Sequence, residues 1–187
     1  MMILAQALLL AWLLSRLLPR RLIWLAAALG LGALIPWGHG LSPAACMRAL
    51  WGDPSITTMQ LLALGLAGRT PDAFGRDWRA PASIAGAAAL FYAMALGLGD
   101  FDPYRLGYQP ILLLALLAVP ALLLWSRGRA LWLWLLAVDL LAFAAGLLES
   151  TNFWDYLIDP LLAAACVILA LRNCRPGRRN GPPREIP

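Results

Sequence analysis

The stretch ALWLWLLAVDLLAFAAGLL, residues 130–148, decides how this chain is read. It holds one ionisable side chain, Asp139, among nineteen residues that are otherwise apolar or glycine. A helix on the surface of a water-exposed domain carries a polar face opposite its apolar stripe. No such face exists here, and the length matches the roughly 20 residues that cross a hydrocarbon core of about 30 Å.

The neighbouring blocks repeat the pattern. Proline, glycine and charge divide the chain into apolar segments at 2–18, 22–38, 54–68, 81–99, 109–126, 130–148 and 154–172. The composition agrees: 61% of residues are hydrophobic, 13% are charged and the mean hydropathy is +0.72. Charged residues normally make up about a quarter of a soluble domain. The sequence therefore predicts an all-α integral membrane protein, one bundle of about seven transmembrane helices over 1–172. The count becomes six if the short 54–68 segment is re-entrant, since that segment covers only ~24 Å at 1.5 Å per residue. Helices are expected because a spanning segment must pair its own backbone groups, and the alternation of a barrel strand is missing.

Orientation follows from the arginines, which supply all fifteen basic residues. Thirteen of them fall on one side if the N-terminus is outside and the C-terminus cytoplasmic, leaving Arg48 and Arg105 on the other. This is the asymmetry of the positive-inside rule. Tryptophans near the block ends, such as Trp37, Trp78, Trp125 and Trp154, suit a headgroup position. The start, MMILAQALLLAWLLSRLLPRR, has no basic residue before its apolar run and reads as a retained helix. The expected location is a bacterial inner membrane, with multiple passes. Residues 173–187 read as a disordered basic tail on anionic lipid headgroups, with no nucleic-acid role. Residues 41–51 read as an amphipathic helix along the outer interface.

One histidine, His39, and three cysteines without C-x-x-C spacing argue against His/Cys metal or haem sites, and no cofactor is expected. The same shortage excludes rhomboid-type proteases, exosortase-like transpeptidases, vitamin K reductase-like enzymes and histidine-dependent lipid phosphatases. Catalytic residues are thus expected to be none, and metal ligands none.

The residues left to carry chemistry are acids. Asp139 lies at the middle of its block, where a charge costs about 2.5–3.5 kcal/mol in a membrane. Tyr92 and Gln60 are its expected hydrogen-bond partners, with Thr57 and Thr58 nearby in the chain. Its functional readings are a proton or cation relay or a site for a substrate amine; its structural reading is a protonated carboxyl acting as packing glue. Glu149, Asp155 and Asp159, in LLESTNFWDYLIDPLL (147–162), form the second group, with Asp155 and Asp159 four residues apart and expected on one helical face. They read as outer-leaflet acid–base or cation-binding groups, or as a hydrated turn. Asp53 and Asp102, each before a proline, are expected to cap helices.

Three functions follow. The first is a non-enzymatic membrane component that packs against a membrane-protein partner or a second copy. The second is a small transporter or ion pathway using Asp139, and the third an enzyme using Glu149, Asp155 and Asp159.

Overall fold

The structure, a computed structural model, describes residues 2–37, 40–69, 71–75 and 77–174. His39 and the tail from residue 175 onward lie outside them. The described elements are helical: α1 Met2–Leu17, α2 Ile23–Gly32, α3 Pro43–Trp51, α4 Ile56–Leu66, α5 Asp72–Gly75, α6 Arg79–Ala95, α7 Ile111–Ser126, α8 Leu131–Ala144, α9 Trp154–Leu157 and α10 Pro160–Cys174. A single isolated bridge joins Trp37 and Leu41.

The helices overturn the transmembrane reading. Among the described residues, no helix is long and apolar enough to cross a membrane. The longest, α6, has 17 residues, which rise only about 25 Å against the 30 Å required. Neither the seven-span nor the six-span count holds, and the inner-membrane, multi-pass location and the outside/cytoplasmic orientation fall with them. The physical reason is punctuation inside the apolar blocks. The 22–38 block is helical only to Gly32 and then turns. The 130–148 block ends at Ala144, where Gly146 takes a left-handed φ of 61° and closes the C-terminus. The 154–172 block is cut by extended Ile158, so that Asp159 starts a new helix at Pro160. The apolar residues set the composition of each block, while glycine, proline and capping side chains set the length of each helix.

Helix α4 is the hub. It packs against α1, α8 and α9, while α1 pairs with α2, α7 with α8, and α6 with α10. Its start is specified locally, because the Ser55 side chain accepts a hydrogen bond from Thr58 N, satisfying an orphan donor of the first turn. Asp53, the expected cap, instead accepts from Arg48. Asp102 does cap the Pro103–Gly107 3-10 turn by accepting from Tyr104 N. Around α4 gathers a core that includes Ile56, Leu113, Leu136, Phe153 and Tyr156. A second cluster under α5 holds Phe74, Leu162 and Cys166.

The α1–α2 pair shows what small residues achieve. A Cβ on Gly30 would meet the Ala7 carbonyl at 2.6 Å and Ala11 Cβ at 2.8 Å, so the two backbones touch only because that position is glycine. Gly32, two residues on, has nothing within 4 Å. We expect Gly30→Ala to lower stability by about 1–3 kcal/mol through overpacking. Gly32→Ala should be neutral or stabilising by up to about 1 kcal/mol, because it only removes backbone freedom. Chemical denaturation of the two variants checks the contrast.

Candidate functional site

The acids singled out by the sequence come to different ends. Asp139, on α8, is 1% exposed and faces α4. Thr57 and Gln60, three residues apart, share a face of α4. The Thr57 hydroxyl donates to Asp139 Oδ2 at 2.6 Å, and Gln60 Nε2 donates to Oδ1 at 2.9 Å. Gln60 Nε2 also reaches the Leu135 carbonyl at 3.3 Å, and its own Oε1 is buried with no donor among the described residues. Tyr92, the other expected partner, stands under the influence of different acids. Burial, with the charges of Asp159 and Asp155 added, pushes its hydroxyl up to about 12.

Desolvation dominates at Asp139. Burial raises its carboxyl to about 7, against the opposing effect of the Thr57 and Gln60 hydrogen bonds, which favour the charged form. The group therefore changes charge near neutrality. Beside it lies a cavity of about 240 Å³ whose wall is apolar apart from Asp139, Thr57 and the indole of Trp132. No second ionisable side chain stands in that wall among the described residues, so no relay of titrating groups leads from Asp139 through the cavity.

Glu149, Asp155 and Asp159 do not converge. The extended backbone at Ile158 breaks the helical face that would have aligned the two aspartates. Asp155 accepts from the Tyr104 hydroxyl at 3.1 and 3.0 Å and from the Ser150 hydroxyl. It thereby helps fasten the 150–156 segment to the Pro103–Gly107 turn, where Asn152 Nδ2 donates to the Tyr104 carbonyl and Trp154 Nε1 to the Pro103 carbonyl. Phe153 N adds a bond to the Gly107 carbonyl. Asp159 is 5% exposed and accepts from Ser55 N at 2.7 Å, from Leu162 N at 2.8 Å and from the Thr58 hydroxyl. Glu149 remains on the surface and pairs with Arg48 at 3.1 Å, the same guanidinium that Asp53 holds. Among the described residues no group of three His, Cys, Asp or Glu side chains could hold a metal ion.

Sequence reasoning placed Asp139 and Gln60 but missed Tyr104, Ser150 and Ser55, each of which holds an acid or starts a helix. Ser55 alone left a signal, a small hydroxyl residue immediately before the apolar run of α4. Comparisons with protein-family models, with curated proteins and with solved structures found no match to this chain.

Two outcomes follow from the different surroundings of these acids. Asp139 has a folded-state pKa raised above its unfolded value, so its neutral form favours folding and its contribution is fully present below about pH 4. That contribution is lost as pH rises towards and through about 7, and amounts to a few kcal/mol at most on the order of 1.4 kcal/mol per unit. Asp139→Asn, neutral at every pH, should therefore unfold at a higher temperature than the parent at pH 8, with the advantage shrinking by pH 5. Thermal unfolding across that range reads it directly. Separately, Asp159→Ala should cost about 3 kcal/mol or more, since it leaves the buried Ser55 and Leu162 backbone donors unsatisfied. Glu149→Ala should change stability by no more than about 1 kcal/mol, as expected for an exposed ion pair.

Proposed function

We propose that the chain is a non-enzymatic packing component that assembles with a second copy of itself through the outer face of α7. The observation that carries this reading is the exposure of that helix. At 100° per residue, Ile111, Leu112, Leu116, Val119, Leu122 and Leu123 fall within one arc of about 140°. All six are exposed, with Ile111 at 84% and Val119 at 60%. The opposite side of the helix, including Leu113 and Ala121, is buried against its neighbours. A helix that is apolar on every face is normally covered on every face, and ILLLALLAVPALLLWS has no polar residue before its terminal serine.

The area is adequate. These side chains with Trp125, 55% exposed, present a surface of the order that a standard interface buries on each partner, about 800 Å². A contiguous apolar patch of that size exceeds what an isolated monomer ordinarily shows. A second copy suits it because the stripe contains no charge to specify a different partner. A two-fold axis would set the uninterrupted stripe against its own copy, so that every apolar position meets another apolar position.

The acids support the non-enzymatic part of the reading. Asp155 and Asp159 spend their oxygens on backbone and side-chain donors that hold turns and helix starts. Glu149 is tied to Arg48 on the surface.

Sedimentation velocity over a range of concentrations tests the assembly. The parent chain should sediment as a dimer that dissociates on dilution. Leu116→Glu combined with Leu123→Glu should be monomeric while keeping its helical circular dichroism. A parent chain that is monomeric at every concentration overturns the proposal, as does a dimer unaffected by the two glutamates.

A further inference from the structure

Among the described residues, two cavities of similar size differ in one respect. The first, about 260 Å³ between α1, α4 and the 147–148 turn, is lined entirely by apolar residues such as Leu8, Ile56 and Met59. The second, about 240 Å³, is a cleft open on one side between α4, α6, α7, α8, α9 and the start of α10, and carries Asp139 and Thr57 in its wall. A dry aliphatic cavity of about 150 Å³ already takes up a benzene-sized molecule. The second cavity therefore has room for a six-membered ring and a short arm.

The polar end of that cavity lacks donors. An ionised carboxylate offers about four acceptor positions, and Asp139 uses two, one on Thr57 and one on Gln60. Behind it, outside the residues that line the cavity, Gln60 Oε1 is buried and has no donor among the described residues. A buried carboxylate without a neighbouring cation is costly, and among the described residues no arginine stands in the cavity wall. The complementary ligand is thus a cation with several N–H donors and an apolar body.

We propose that this cavity binds a small apolar primary amine, its ammonium on the Asp139 carboxylate and its hydrocarbon body among Leu117, Ala121, Trp132 and Leu136. The body replaces empty space with apolar contact, and the ammonium N–H groups supply donors for the two acceptor positions that Asp139 has left. When Asp139 is protonated, entry of the charged amine releases that proton to solvent and leaves an ion pair. The α7 wall residues Leu117, Ala121 and Leu124 lie on the side of that helix away from its exposed stripe, with exposed Pro120 at the edge between them, so this site and the dimer face use different side chains.

The probe is phenethylamine, compared with its neutral near-isostere 2-phenylethanol, each titrated calorimetrically into the full chain at pH 8. The amine should bind at least tenfold more tightly than the alcohol. Asp139→Asn should erase that preference while leaving weak binding of both. Ala121→Phe, which fills the cavity and keeps the carboxylate, should abolish both. Equal affinity of the parent chain for the two probes reduces the cavity to an apolar hole and overturns the proposal, as does no binding of the amine. Amine preference that persists in Asp139→Asn, or binding that persists in Ala121→Phe, overturns it as well. The parent-chain comparison decides the matter alone if either variant fails to fold. The state of assembly at α7 has no bearing on it, so the two readings fail independently.

Discussion

The arrangement of this chain hangs on the Asp159 carboxylate. It accepts from Ser55 N just before α4 and from Leu162 N in the first turn of α10, and the Thr58 hydroxyl adds a third donor. Helix starts carry unsatisfied N–H groups and the positive end of the helix dipole, so one buried anion serves two of them at once. Residues more than a hundred positions apart are fixed together by this contact. Because α4 is the helix against which α1, α8 and α9 pack, fixing its start fixes where its side chains point along most of the bundle. Thr57 and Gln60 meet Asp139 as a consequence of that placement.

A second fastening works through turns. The Pro103–Gly107 segment and residues 150–156 exchange hydrogen bonds through Asn152, Trp154, Phe153 and Tyr104, and Gly107 lies so close to Asn152 that a Cβ there would sit 1.7 Å from Oδ1. Phe91 stacks on Trp154 with centroids 4.4 Å apart, bringing α6 to the same point. The polar residues in the apolar sequence are thus concentrated where segments turn, and there they bond to one another and to backbone groups that have no partner within a helix.

Much of the helix content was legible in the sequence, because long apolar blocks bounded by proline, glycine and arginine give helices whether or not they meet a bilayer. The lengths were not. The 154–172 block left two readings open, a helix kinked at Pro160 or a separate turn over 153–158, and extended Ile158 between Trp154–Leu157 and Pro160–Cys174 matches the second. The bond from Ser55 N to Asp159, 104 residues apart, left no signal in the chain order. Likewise Asp53 precedes a proline in the pattern of a cap, yet Arg48 captures it and Ser55 takes the role. Asp139 was conspicuous because a lone acid in an apolar block is costly wherever it is buried, in protein or in lipid. Tyr92 was expected from its similar depth along its own segment, yet it lies near Asp159 and Asp155, whereas Gln60, counted nearer one end of its segment, is the partner that donates. Depth along a segment can be counted from sequence, but the facing direction depends on packing.

Asp139 and Asp159 are the same residue type at nearly the same burial, and the contrast between them separates structure from a capacity to bind. Asp159 meets two backbone N–H groups and a hydroxyl, donors that the fold itself must satisfy, so its charge is needed where it is. Asp139 meets two side chains, whose bonds only partly offset desolvation, and its carboxyl rises to about 7. An apolar core of the same volume would be served better by leucine at that position, since a carboxyl adds a desolvation cost and leaves acceptors unfilled. Beside it a cleft is open and acceptor positions are left over, so the missing interaction is a hydrogen-bond donor, the one that the proposed ammonium would supply. The fold needs Asp159 to hold its helices; Asp139 is the acid whose chemistry it leaves unfinished.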